Sequence, residues 1–153
     1  RDDADGVSFR ENDISDWDAL FGELITLHQR RWNNAGFPGL FFDDRQRLFQ
    51  NEVIGIFRSR GWLWVSSLSS GGKRAAVRIG FKFHGRIYDY LSGFDETSPI
   101  ARRRPGIALL LAMVSHANAE GIGTLDMLRG DEKYKFEMGP SSVALANVSI
   151  SGR

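Results

Sequence analysis

Tyr90-Leu91-Ser92-Gly93-Phe94-Asp95 and, after a short polar loop, Arg102-Arg103-Arg104-Pro105-Gly106-Ile107-Ala108 decide how this chain folds. The first stretch reads as the end of a strand, the second as the start of a long helix. Pro105 suits a first helical turn, where a missing N–H breaks no hydrogen bond. Gly106 and Ala108 carry little side chain, so a ligand can come close to the backbone. Unbonded amides at a helix start and the positive end of its dipole favour a phosphate or diphosphate. The three arginines add charge-assisted donors. The same residues also read as a solvated basic loop ahead of an ordinary core helix.

Upstream, residues 62–68, 75–83 and 87–94 are rich in aromatic and branched side chains. Ser69-Ser70-Gly71-Gly72 and His84-Gly85-Arg86 separate them, which predicts an antiparallel meander. Before the meander come a short extended segment at 7–10 and two helices. The first, 17–31, can be capped by Ser15 and carries Leu20, Phe21, Leu24, Ile25 and Leu27 on one broad face. Asn33, Asn34, Gly36, Pro38 and Gly39 break the chain. The second helix, capped by Asp43 or Asp44, spaces Leu48, Phe49, Val53, Ile54 and Phe57 helically and ends at Gly61. After the motif helix, 106–119, come a short strand at 124–128, a helix or turn at 131–138 and a last strand at 142–150. The order is β-α-α-β-β-β-α-β-α-β, an α+β domain with a mixed sheet.

A chain of 153 residues makes one domain with a full core. Hydrophobic residues at 42% and charged residues at 25% exclude a disordered tail. Lys+Arg is 20 against Asp+Glu 19, a net charge of +1, which gives no basic face for wholesale nucleic-acid binding. The absence of cysteine excludes disulfides, thiolate zinc sites and a cysteine nucleophile. His28, His84 and His116 are not spaced as metal ligands, so no metal is expected. The longest apolar run, 107–114, is far short of a membrane span. The first residue is Arg1, not Met, so the chain is expected to be a piece of a longer polypeptide. A cytoplasmic setting is the expectation.

Arg103-x-x-Gly106-x-Ala108 fits Arg/Gln-x-x-Gly-x-Gly/Ala and resembles the acyl-coenzyme A pyrophosphate loop of the GNAT (N-acetyltransferase) superfamily. It follows a meander and opens the central helix, where that superfamily places it. Leu27-His28-Gln29-Arg30-Arg31-Trp32 with Gly36-Phe37-Pro38-Gly39, Tyr90 to Asp95, and Asp126-Met127-Leu128-Arg129-Gly130-Asp131-Glu132-x-Tyr134-Lys135 resemble the CelD/BcsL-like acetyltransferases of bacterial cellulose and exopolysaccharide synthesis. That branch is similar to the Fem-type peptidoglycan aminoacyltransferases, which hold two GNAT-like halves. The resemblance spans about 28–135 and implies a GNAT-like, mostly antiparallel sheet flanked by helices. This chain would be the second, coenzyme-binding half. After Lys135 the chain departs from the branch, with Phe136-Glu137-Met138-Gly139 where an aromatic-rich stretch is usual.

The resemblance implies acetyl-CoA or another acyl-CoA as cosubstrate. Arg103, Arg104, Pro105, Gly106, Ile107 and Ala108 would hold its pyrophosphate, and Ser92, Gly93 and Phe94 would flank the thioester. Acyl transfer needs a donor to the thioester oxygen, a base for the nucleophile and an acid for the thiolate. Asp95, Asp126, Asp131 and Glu132 are the candidate bases, and Tyr134 the candidate acid. Each also has a plain structural reading: Asp95 as a turn residue, Asp126 as a strand carboxylate, Asp131 and Glu132 as helix-start charges, Tyr134 as a packed aromatic. His28 is expected to be structural, His84 and His116 solvated, and Trp62 and Trp64 core or interface residues. The expected function is acetyl transfer to an amine or hydroxyl of a saccharide or cell-envelope precursor. A transferase using aminoacyl-tRNA and a non-catalytic binding module are the alternatives.

Overall fold

The computed structural model describes residues 6–150. Strand β1 (Val7–Glu11) lies antiparallel to β2 (Leu63–Ser70), which continues through β3 (Lys73–Phe83) to β4 (Arg86–Phe94). Strand β5 (Thr124–Asp126) adds parallel to β4, giving one sheet in the order β1-β2-β3-β4-β5. The meander forms as its residue pattern predicts. Gly71 and Gly72 both take positive φ, 58° and 77°, the conformation that a two-residue hairpin turn demands.

Alternation along the strands divides the core into two layers. On one face, Val65, Val77, Ile79 and Leu91 pack against Leu20, Phe21, Leu24 and Leu27 of α1 (Trp17–Asn34) and Ile54 of α2 (Asp44–Ser59). On the other, Trp64 and Ile87 meet Met113 and Ala117 of α3 (Pro105–Ala119). Each fully buried aliphatic side chain contributes about 1.5–3 kcal/mol, so these two layers carry most of the stability. Asp43 caps α2 by accepting from the Gln46 amide at 2.8 Å. Ser15 does not cap α1: its hydroxyl turns back to Asp13 at 2.6 Å, and Asp16 occupies the cap position.

One irregularity in β4 positions the site. Ile79 pairs with Leu91 while Gly80 pairs with Asp89, so Tyr90 is a surplus residue, a β-bulge. Below it, Ile87 faces α3. Above it, Leu91 faces α1. The strand changes allegiance at its midpoint. A Cβ on Gly93 would lie 2.7 Å from the His28 amide nitrogen and 2.8 Å from Leu27 Cβ, so only glycine lets α1 cross there.

Two further expectations are corrected. Residues 142–150 form no strand; the segment is irregular, with Val143, Leu145, Val148 and Ile150 each at least 74% exposed. Its apolar residues find no sheet edge or buried face to repay their ordering. His116 is not solvated: its side chain is 11% exposed, with Glu11 3.3 Å from Nδ1 and Glu120 3.2 Å from Nε2. Trp62 and Trp64 pack as expected, Trp62 on Phe57 and Phe83 and fully buried Trp64 in the α3 layer, where its Nε1–H donates to Glu11 at 3.0 Å.

Candidate active site

Strand β5 pairs with β4 only from Arg86 to Tyr88. β5 ends at Asp126, and Leu128, at φ 55°, turns the chain away while β4 runs on to Phe94. The separation opens a cleft in two adjoining parts that share Arg31, Ser92 and Tyr134. The inner part, about 180 Å³, is bounded by His28, Trp32, Asp89, Leu128, Glu132 and Lys135. The outer part, about 220 Å³, reaches Phe94, Ala101, Arg104, Gly106 and Ile107 at the start of α3.

The start of α3 is narrower in donors than the motif predicts. Pro105 is buried and lacks an N–H. The amides of Ile107 and Ala108 both donate to the Arg104 carbonyl, at 2.9 and 3.1 Å. Gly106 therefore carries the first-turn amide that helix geometry leaves for an outside acceptor. Its α-carbon faces the cleft, with Phe94 3.2 Å from where a Cβ would stand. Arg104 takes a left-handed conformation at the helix cap, φ 52°, and pairs with Glu137 of α4 (Lys133–Glu137). Arg103 is exposed in the 3-10 turn Ala101–Arg103 and does not line the cleft; nor does exposed Ala108.

The candidate acids and bases separate cleanly. Asp95 accepts from the amide and hydroxyl of Thr97, at 2.9 and 2.6 Å, and begins a turn outside the cleft. These bonds, with the nearby cations of Arg30 and Lys73, hold its carboxyl below the ordinary range. Asp126 accepts from the Leu128 amide at 2.8 Å, fixing the turn that opens the cleft without lining it. Asp131 is exposed and also lies outside. Glu132 and Tyr134 both line the inner part. Burial opposes ionisation of Glu132, yet the hydrogen bond and charge of Lys135, 2.9 Å away, hold its carboxyl below the usual value. Tyr134 goes the other way. Burial, then the Asp89 carboxylate, push its phenol up, against the pull of Arg78.

Several site residues escape sequence reasoning. Arg78 and Asp89 form a buried ion pair beneath the cleft, 2% and 6% exposed. They are eleven residues apart, and only the hairpin and its bulge bring them together. Lys135, 7% exposed, donates to the Arg129 carbonyl at 2.9 Å. His28 is structural, as expected: Nδ1–H donates to the Ser92 carbonyl at 3.1 Å and Nε2 accepts from the Leu40 amide at 3.4 Å. Burial lowers its pKa, which matches a neutral ring with both nitrogens committed. Ser92 and Phe94 line the cleft, whereas Gly93 is turned into α1. Among the described residues no cluster of His, Asp and Glu could hold a metal ion.

Residues 2–136 match the family model of the acetyltransferase (GNAT) domain. The chain belongs to the GNAT acetyltransferase family. It is an acyltransferase, and its cosubstrate is acetyl-CoA. No curated protein sequence matches this GNAT chain. Among solved structures, a GCN5-related N-acetyltransferase from Ralstonia eutropha JMP134 superposes with TM-score 0.70 at 18% identity, covering 96% of this chain and 100% of that one. An aminoglycoside acetyltransferase from an uncultured soil metagenomic sample, crystallised with trehalose, gives 0.64 at 12% identity, covering 98% and 99%. A Clostridium acetobutylicum acetyltransferase crystallised with acetyl-CoA gives 0.61 at 13% identity, covering 95% and 96%. At such identities the likeness establishes the shared GNAT fold. No helix among the described residues is long and apolar enough to cross a membrane.

Proposed function

We propose that this GNAT domain transfers an acetyl group from acetyl-CoA to an amine or hydroxyl of a saccharide or cell-envelope precursor. The observation that carries the reading is the adjacency of the two parts of the cleft, which share Arg31, Ser92 and Tyr134 and set the Gly106 turn on one side and Glu132 on the other. Gly106 offers its amide to the donor's pyrophosphate, with Arg103 and Arg104 supplying positive charge around it and Pro105, Ile107 and Ala108 shaping the turn. Ser92 and Phe94 bound the passage that the pantetheine arm would follow.

Glu132 takes the proton from the acceptor as its nitrogen or oxygen attacks the thioester carbonyl carbon. The C–S bond breaks as the new bond to the acetyl carbon becomes an amide or ester. Tyr134, kept protonated by its surroundings, gives its proton to the leaving thiolate and recovers one from solvent. Asp95, Asp126 and Asp131 drop out of the reacting set on position.

A saccharide acceptor is supported by the half-exposed Trp32 at the inner cleft, a ring suited to a sugar face. It also agrees with the CelD/BcsL-like signature at 126–135 and the related Fem-type pattern. On this reading the chain is one GNAT-like domain of a double-GNAT polypeptide. Structural neighbours include an aminoglycoside acetyltransferase and glucosamine-6-phosphate N-acetyltransferase from Arabidopsis thaliana. The test is calorimetry with acetyl-CoA on the wild type, Arg103→Ala and Gly106→Trp, followed by transfer assays on a panel of amino sugars. Weaker binding in the variants supports the assignment of the pyrophosphate end, and unchanged binding in both removes it. Turnover confined to non-sugar amines removes the saccharide acceptor.

A further inference from the structure

We propose that Arg78 is a positioning residue that ties the donor end of the cleft to its proton-donating end. The proposal rests on the site reading above and deepens it. Arg78 lies in the middle of β3, 2% exposed, and reaches three elements. One arm of its guanidinium binds the Asp89 carboxylate, just below the bulge in β4. The other donates to the Gly106 carbonyl at 3.0 Å, in the first turn of α3. Its guanidinium carbon stands 6.0 Å from the Tyr134 ring centre. Its Nε is buried and has no hydrogen-bond partner among the described residues.

A planar fork suits this task and a lysine does not. Guanidinium can satisfy two acceptors in fixed directions, whereas an ammonium makes point contacts on a flexible stem. Through one arm, Arg78 fixes the orientation of the peptide that carries the Gly106 turn. Through its charge, with that of Asp89, it sets the field at the Tyr134 hydroxyl. The charged and titratable groups that share the cleft with Tyr134 are Arg78 on β3, Asp89 on β4, Glu132 and Lys135 around α4, Arg31 and His28 on α1, Arg104 at the start of α3 and Arg129 in the loop after β5. Of the charged ones, Arg78, Asp89 and Lys135 are buried, so solvent screens them least, and Arg78 and Asp89 are paired with each other.

The experiment uses Arg78→Lys, Arg78→Gln and Asp89→Asn, each checked for folding by circular dichroism. Arg78→Lys keeps a charge beside Asp89 and loses the bond to Gly106; acetyl-CoA affinity is expected to fall about tenfold at an unchanged melting profile. The phenol of Tyr134, read as the difference in ultraviolet titration between each protein and its Tyr134→Phe counterpart, is expected to move up in Arg78→Gln and down in Asp89→Asn. A role confined to stability would move neither affinity in Arg78→Lys nor the two titrations in opposite directions, and that result overturns the proposal. Should the charge-removing variants unfold, the affinity of Arg78→Lys decides alone. Should the wild type fail to bind acetyl-CoA, the donor reading falls, and the paired titrations alone decide the proposal: opposite shifts support it and like shifts overturn it.

Discussion

His28 Nδ1 donates to the carbonyl of Ser92 at 3.1 Å, joining the end of α1 to the half of β4 that lies beyond the bulge. Burial depresses the imidazole pKa below its usual 6.5. The unfolded chain therefore binds a proton in a window where the folded one does not. The stability this contributes is complete above pH 6.5 and is lost as pH falls toward the folded value. Denaturant unfolding of the wild type should show that decline between pH 7 and 5, and His28→Gln should flatten it. An equal slope in both proteins would count against a neutral, committed ring.

Gly93 should resist even alanine. The added carbon would press on the backbone of His28 and the side chain of Leu27, neither of which can swing away. Overpacking of this kind costs about 1–3 kcal/mol. Gly93→Ala should lower the melting temperature without changing the charge or the chemistry of the cleft.

Breaking the buried pair from one side should be worse. Asp89→Ala leaves the Arg78 guanidinium without its carboxylate in a dry setting. The expected loss is about 3–5 kcal/mol, measured by chemical denaturation. An apolar replacement of both partners should recover much of it.

Tyr134→Phe removes the proposed proton donor and little volume. The expected result is a fall of about 10²-fold in kcat with a much smaller change in KM for acetyl-CoA. The raised phenol should also place the high-pH decline of the wild-type rate above pH 10. A variant with full kcat would reduce Tyr134 to a packing residue.

Gly106→Trp should fill the outer cleft and abolish acetyl-CoA binding while the protein still melts cooperatively. A Cβ there would press on Phe94 at 3.2 Å, at the wall of the outer cleft.

The layers of this fold were legible because they rest on local periodicity. Leu20, Phe21, Leu24 and Leu27 announce a helical face, and Val65, Val77 and Ile79 a strand face. The segment 142–150 shows the limit of that signal: Val143 and Leu145 have strand character, but a strand needs a partner edge, which no local pattern supplies. The site divides along the same line. Glu132 and Tyr134 reach the cleft from one short stretch of sequence, so their joint arrival was readable. Asp126 looked equally promising, yet its carboxylate is consumed two residues on, by the Leu128 amide. Arg78 and Asp89 were invisible because their meeting depends on a shift of register at Tyr90 that residue type alone does not encode.

That surplus tyrosine has a consequence for how the gene can change. Along β4 the bulge decides which face each later side chain meets. If Tyr90 were drawn into the regular ladder, every later side chain would change face, sending Leu91 toward the cleft and Ser92 into the oil beneath α1; losing Tyr90 altogether would only straighten the strand, with Leu91 still opposite Ile79. Loss of that one codon should therefore be borne more readily than substitution of Asp89 or Gly93, whose contacts no neighbour replaces.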